Sequence, residues 1–328
     1  MNSSAAQRTG FSQQRLTGFR DCLSDLGPLL EEAALCVCAT GSYGRLEAWD
    51  GSDMDLFFLA APSPGVDFRY LPFIRVAARL VEYTERVGLP PFSGDGKYLE
   101  VLDVNEMERV LGSPEDDSTN TFTARMLLLL ESQPLTDAHQ YHTLIERIVG
   151  FYFHDFPGHE EDFVPIFLLN DILRFWRTLT LNYEHDRYEV RQVPAAEREL
   201  AKAKSSLKNY KLKVSRLATC FSMVVHLVSE AAPVGRERVV ELTAMTPQQR
   251  FGDLRGRASE ADVLLDDLAE QYERFLEQVQ RPNQEVLELF SDRQHRSARL
   301  REAARYGTTI YALLGLLAQD ERMRHLAV

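Results

Sequence analysis

Apolar and polar positions follow two different periods along this chain. Over residues 11–33, Leu16, Phe19, Cys22, Leu23, Leu26 and Leu30 recur at helical spacing, and short apolar runs follow at 34–39 and 53–60. Residues 69–87 read as a helix stopped by Gly88 and Pro90-Pro91, and a turn leads into a strand at about 97–104. Strand, strand, helix, strand predicts a small mixed sheet with helices on one side and an open face on the other. From Ser113 the pattern changes. After the polar stretch SPEDDSTNT the period is helical, with helices expected at about 120–132, 136–154, 162–185, 194–229, 236–243, 247–255, 258–279, 282–304 and 306–325. The expected fold class is α+β, with a mixed-sheet domain over 1–117 and an all-helical domain over 118–328. Residues 1–10 are small and polar and are expected to be disordered.

Composition narrows this picture without changing it. At 328 residues the chain has length for two cores, and 45% hydrophobic with 26% charged residues is ordinary for a soluble protein. No apolar run approaches the roughly 18 residues that cross a bilayer, and MNSSAAQRTG lacks a signal-peptide core, so a cytoplasmic location and no membrane partner are expected. Cys22, Cys36, Cys38 and Cys220 have no metal-ligand spacing and read as small buried hydrophobes. A net charge of −12 opposes non-specific nucleic-acid binding, which depends on neutralising phosphates.

The chemistry concentrates in CVCATGSYGRLEAWDGSDMDLFFL, residues 36–59. Strand alternation puts Asp53 and Asp55 on one face with Phe57, and Met54, Leu56 and Phe58 on the other. Two carboxylates a strand repeat apart repel unless a cation lies between them, and a hard divalent ion, Mg²⁺ or Mn²⁺, suits oxygen ligands. Gly41 and Ser42 follow a strand and precede a helical turn, where a glycine lets backbone amides and the Ser42 hydroxyl approach a phosphate. This order of parts is suited to holding a nucleoside triphosphate. A third carboxylate is expected on the strand at 97–104. Glu100 is the first choice because Leu99 and Val101 would face the core, with Asp103 and Asp95 as rivals.

Two helical stretches carry basic faces. Asn170, Arg174, Arg177 and Leu181 share one, and Lys204, Lys208, Lys211 and Ser215 another, at spacings of four, three and four. The chain holds six lysines, five of them at 202–213, and no Asp or Glu occurs between 202 and 216. An acidic partner must compensate, and an anion such as a triphosphate tail or an acceptor phosphate is the favoured one. The cluster His154, Asp155, His159, Glu160, Glu161 and Asp162 matches no common ligand spacing and reads as a solvated loop. Arg125 and Glu131 fall on different helix faces and are not expected to pair.

G-S-Y-G-R-x-E followed by S-D-x-D and an apolar strand resembles the signature of the DNA polymerase β nucleotidyltransferase superfamily. Within it the stretch is most similar to bacterial PII-protein uridylyltransferases and to bacterial nucleotidyltransferases with a helical C-terminal substrate-binding domain. The segments RFWRT, NYE and LKNYKLKxSR extend that resemblance to about residue 216. It implies transfer of a nucleoside monophosphate from an NTP to an acceptor hydroxyl, with pyrophosphate released. Asp53, Asp55 and Glu100 would hold the metal. Gly41 and Ser42 would cradle the β and γ phosphates, and Arg45, Arg174, Arg177, Lys208, Lys211 and Ser215 would serve the nucleotide. A protein is the first acceptor, ahead of a small molecule and of RNA or a nucleotide. A non-catalytic nucleotide-binding regulator or toxin-antitoxin component is the alternative class. The phosphohydrolase and ligand-sensing domains of the full uridylyltransferases have no counterpart in this sequence.

Overall fold

The computed structural model describes residues 3–62, 68–97, 99–319 and 322. The chain divides into two compact units, Met1–Glu160 with Gly235–Thr246, and Glu161–Val234 with Pro247–Val328. In chain order the first contains α1 (Ser4–Ser24), α2 (Gly27–Glu32), β1 (Leu35–Thr40), α3 (Gly41–Gly44), β2 (Asp55–Ala60), α4 (Tyr70–Arg86), β3 (Val101–Asp103), α5 (Val104–Arg109), α6 (Pro114–Ser118), α7 (Thr121–Leu130), β4 (Gln133–Pro134) and α8 (Ala138–Gly150). The second holds α9 (Ile166–Val190), then α10 (Arg198–Lys211) and α11 (Leu217–Ser229), joined through a π-turn at Leu212–Arg216. After α12 (Arg236–Ala244), which belongs to the first unit, come α13 (Pro247–Asp253), α14 (Ser259–Val279), α15 (Asn283–Ser291) and α16 (Arg293–Leu317). The protein is therefore α+β, with a small mixed sheet and a helical C-terminal region.

The sheet runs β3-β2-β1-β4. β1 and β2 are antiparallel, in a register from Leu35 opposite Ala60 to Thr40 opposite Asp55, while β3 lies parallel to β2. Leu35, Val37, Ala39, Leu56, Phe58 and Ala60 pack with Leu16, Phe19 and Leu23 of α1 and Val76 and Leu80 of α4. The opposite face is not open as expected. Cys36, Cys38 and Leu59 are fully buried there, and α8 covers β1, with the Tyr141 hydroxyl held by Ser132 at 2.6 Å. This face is partly exposed at the end that carries Asp55 and Phe57 and at its edges, at Leu102 and Pro134.

Several expected boundaries move because contacts distant in sequence decide them. The division expected at 117/118 falls inside the first unit, since β4 pairs with β1 through Cys38–Pro134 and Ala39–Gln133. Residues 4–10 are helical. Ser3 caps α1 by accepting from the Ala6 amide, and the buried Arg8 guanidinium donates to the Glu47 carbonyl at 2.7 Å, anchoring the first turns. Residues 1–2 lie outside the described residues, as do 63–67 of the Pro/Gly loop, Tyr98, and 320–321 with 323–328. The third strand spans three residues, not eight. The break expected near 305 lies at Asp292 instead, whose extended backbone and side chain, accepting from the His295 amide at 2.6 Å, start α16.

The second unit is built of helices whose core includes Tyr210, Phe275 and Phe290, with ring centroids 5.3 and 5.7 Å from Tyr210. Among the described residues one continuous helix, Arg198–Ser229, has the length and apolarity of a membrane span, yet 78% of its most apolar window is buried inside the protein. Its apolar surface is used against neighbouring helices.

Candidate active site

The turn after β1 is shaped by two glycines. Gly41 sits at φ +65°, where a side chain is strained, and a Cβ there would lie 2.6 Å from Asp55 Oδ2. A Cβ on Gly44 would stand 1.9 Å from the Glu131 carbonyl oxygen. The first glycine thus lets a carboxylate rest against the turn, and the second lets α3 rest against the end of α7. With only four residues α3 contributes amides but little dipole. Gly41→Ala is expected to lose about 1–2 kcal/mol to backbone strain. Gly44→Ala, blocked by main chain that cannot step aside, is expected to lose about 3 kcal/mol or more. Urea unfolding followed by the fluorescence of Trp49 checks both.

Residues 45–54 are strapped down by α1. Arg8 holds the Glu47 carbonyl, the Ser12 hydroxyl accepts from the Ala48 amide at 2.9 Å, and Phe11 packs on Trp49 with centroids 5.6 Å apart. A turn closes between Trp49 and Ser52, with the Trp49 amide on Ser52 Oγ at 2.9 Å and the Ser52 amide on the Trp49 carbonyl at 2.7 Å. Met54 is anchored in the core, and Asp53 and Asp55 on either side of it are half-buried. β2 begins at Asp55, so Asp53 belongs to the connecting loop and not to the strand. The Tyr43 hydroxyl has no hydrogen-bond partner among the described residues. Burial, with Asp53 and Asp50 acting in the same direction against Arg15, pushes it up to about 12.

Arg45 does not project toward a ligand. Its Nε meets Glu47 Oε2 at 2.9 Å and its Nη1 meets Glu131 Oε2 at 2.5 Å, all three side chains being less than a tenth exposed. Two carboxylates already balance this guanidinium, which ties the loop to the end of α7. Nothing in the local sequence marks Glu131, Arg8 or Ser12 as parts of the site, because their partners lie 36 to 86 residues away.

Of the three third-carboxylate choices, Asp103 caps α5 by accepting from the Asn105 amide at 2.8 Å. Asp103 also pairs with Ala60, on the α1 and α4 face. Asp95 is exposed in a tight turn at φ +58°. Glu100 is exposed and immediately precedes β3; the parallel register, carried one residue back from Phe58–Val101, sets it beside Phe57 on the Asp55 face. Glu100 is therefore the choice closest in register to the aspartates.

Arg174, Arg177, Lys208, Lys211 and Ser215 belong to the second unit. Arg174 is 3.7 Å from the buried Asp171, Lys202 pairs with Glu199 at 2.7 Å, and Lys208 pairs with Asp186 of α9. Protein carboxylates thus compensate part of the basic face, Asp186 from a different helix. Arg177 and Lys211 are exposed, but Ser215 is buried, with its Oγ 3.4 Å from the Tyr272 hydroxyl. The π-turn takes extra residues into its coil, which rotates Ser215 off the face that an unbroken α-helix would share with Lys208 and Lys211.

Two other groups gather potential ligand residues. His154, Asp155, His159 and Glu160–Asp162 are a solvated loop: all are exposed. His226, Glu230 and Asp253 gather in the second unit, but Arg257 already neutralises Glu230 at 2.7 Å, and His226 Nε2 is held by the Arg250 carbonyl at 2.8 Å. The four cysteines are free and buried; desolvation pushes the Cys36 thiol up to about 11.

No family model, curated protein or solved structure significantly matches the chain. The functional reading therefore rests on the residues themselves.

Proposed function

We propose that the first unit is a nucleotidyltransferase that moves a nucleoside monophosphate from a nucleoside triphosphate to an acceptor hydroxyl. The observation that supports this reading most is the contact between Gly41 and Asp55. A glycine turn of the G-S type and a carboxylate of the D-x-D type, 14 residues apart in sequence, are packed so closely that a Cβ on Gly41 would have to displace the Asp55 carboxylate. Two half-buried carboxylates flanking a core-anchored Met54 form an oxygen donor set suited to a hard divalent cation.

In this reading Asp53 and Asp55 would hold Mg²⁺ or Mn²⁺, which supplies charge neutralisation and Lewis-acid polarisation at the phosphates. Glu100 would be the third ligand. The Gly41-Ser42 turn binds the β and γ phosphates through amides and the Ser42 hydroxyl. The acceptor oxygen bonds to the α phosphorus, the bond to the bridging oxygen breaks, and pyrophosphate leaves; the hydroxyl proton goes to solvent or to a neighbouring carboxylate. Arg45 supports the loop instead of the leaving group. The proposed acceptor is a protein hydroxyl, with the net charge of −12 weighing against RNA.

Incubation with each labelled NTP and Mg²⁺, with and without cell lysate, tests the proposal. Pyrophosphate release and a lysate-dependent labelled protein band are expected. Absence of pyrophosphate under every condition would overturn the transferase reading in favour of a nucleotide-binding regulator without turnover.

A further inference from the structure

The two edges of the first unit's sheet are finished differently. At the β4 edge Pro134 has no N–H to offer, and its carbonyl accepts from Arg20 Nε at 3.1 Å and Nη2 at 2.9 Å, so little main chain is left for a further strand. The β3 edge has no such protection. The strand order leaves one side of β3 unpaired, and among the described residues the main chain of 100–102 makes no hydrogen bond beyond the ladder to β2. No proline interrupts residues 99–103, and Val101, Leu102 and Asp103 are all partly exposed. A bare strand edge can pair with another extended chain.

The position and charge of this edge narrow its partner. Leu102 pairs with Leu59, and the same register sets Glu100 beside Phe57, so both side chains stand on the sheet face that carries Asp55. A strand added outside β3 would lie two strand spacings, about 10 Å, from β2. Its side chains alternate between faces, and one opposite Glu100 on the Asp55 face would point to the proposed transfer site. Asp95 and Glu100 are exposed, and neither forms an ion pair with a described residue; Lys97 is the one basic residue in 95–103. The edge is therefore acidic and favours a basic partner.

We infer that the β3 edge receives the acceptor as an extended, basic protein segment, paired strand to strand with residues 100–102 so that a serine, threonine or tyrosine hydroxyl on it faces Asp55. This rests on the transferase reading. Main-chain hydrogen bonds supply the affinity and the acidic residues select the basic flanks. Hydrogen exchange of the full chain tests it, with degenerate nonapeptide pools that carry one central hydroxyl residue and basic, neutral or acidic flanks. The basic pool at ~1 mM slows exchange of the 100–102 amides about tenfold or more, as a dissociation constant of ~0.1 mM requires, and the acidic pool does not. In the tightest member of the basic pool, N-methylation of alternate residues abolishes the slowing in one frame and spares it in the other, because successive amides of a strand point to opposite sides. With Mg²⁺ and labelled NTP the central hydroxyl takes up label. Slowing without label would sustain the docking surface while overturning the transfer reading, and label without slowing at 100–102 would overturn this inference alone. Absence of slowing by every pool, tolerance of N-methylation in both frames, or slowing that follows protein concentration alone, the mark of a second copy at this edge, would also overturn it.

Discussion

Asp53→Asn and Asp55→Asn are each expected to lower Mg²⁺-dependent pyrophosphate release by at least ~10³-fold, corresponding to roughly 4 kcal/mol of transition-state stabilisation. Asparagine keeps the size of the side chain and one oxygen but removes the negative charge that holds a hard cation. Stability should change little, because both side chains are half-buried and the anchoring of this segment belongs to Met54 and to the Leu56 and Phe58 face. The two losses should not add, since in the proposed mechanism the carboxylates act as one metal-binding unit. Circular dichroism and urea midpoints provide the control for folding. Turnover near wild type in the double variant, with Mg²⁺ dependence retained, would remove both residues from the mechanism.

Arg125→Met is expected to destabilise the first unit by about 3–5 kcal/mol, the usual loss when one partner of a buried ion pair is removed. Arg125 and Asp116 are both fully buried, joined by bonds of 2.9 and 2.7 Å, and Arg125 Nε donates to the Tyr152 hydroxyl at 2.7 Å. Removal of the guanidinium leaves the buried Asp116 charge uncompensated, with only Thr121 Oγ1 at 2.7 Å and the Gly112 amide at 3.2 Å still donating to it. Truncating both charged partners, as Arg125→Met with Asp116→Leu, should recover much of the loss if uncompensated charge is the cause. The two tryptophans make the measurement specific. Trp49 lies in the first unit and Trp176 in the second, so Trp176→Phe leaves fluorescence that reports the first alone.

The same pair predicts a pH response. Burial raises the Asp116 carboxyl, but hydrogen bonds from Arg125 and Thr121 and the charge of Arg125 outweigh it and bring it below its ordinary value. A depressed carboxyl contributes stability that is complete above the unfolded value of about 3.9 and is lost as pH falls through the folded value. Asp116→Asn should flatten the dependence of the first unit's stability on pH in that acidic window while leaving its shape near neutrality unchanged. An unaltered acid slope would assign the acid sensitivity to other carboxylates.

The residues that read most clearly from sequence are those whose neighbours are near in the chain. Alternation at 53–58 separates Met54 and Phe58 from Asp55, helical spacing marks Val76 and Leu80 of α4, and the G-S and D-x-D elements are legible because a strand, a turn and a strand join them by short covalent paths. Covalent proximity makes local period and spacing informative. Arg45 reads differently once folded, because Glu131, 86 residues away, takes up its charge. Lys208 is likewise matched by Asp186 of α9, and a single π-turn moves Ser215 from an exposed face into the core.

By itself, then, the sequence determined the α+β order of elements, the carboxylate-bearing strand and the glycine turn that precedes it. Only the tertiary structure decided that β4 brings residues 133–134 into the first unit's sheet, that Cys36, Cys38 and Leu59 on its second face are buried, and that Asp55 rests against Gly41. Periodicity states which face of an element is apolar, but the partner that covers it, and the counter-charge that meets a buried guanidinium, are chosen by packing among segments far apart in the chain.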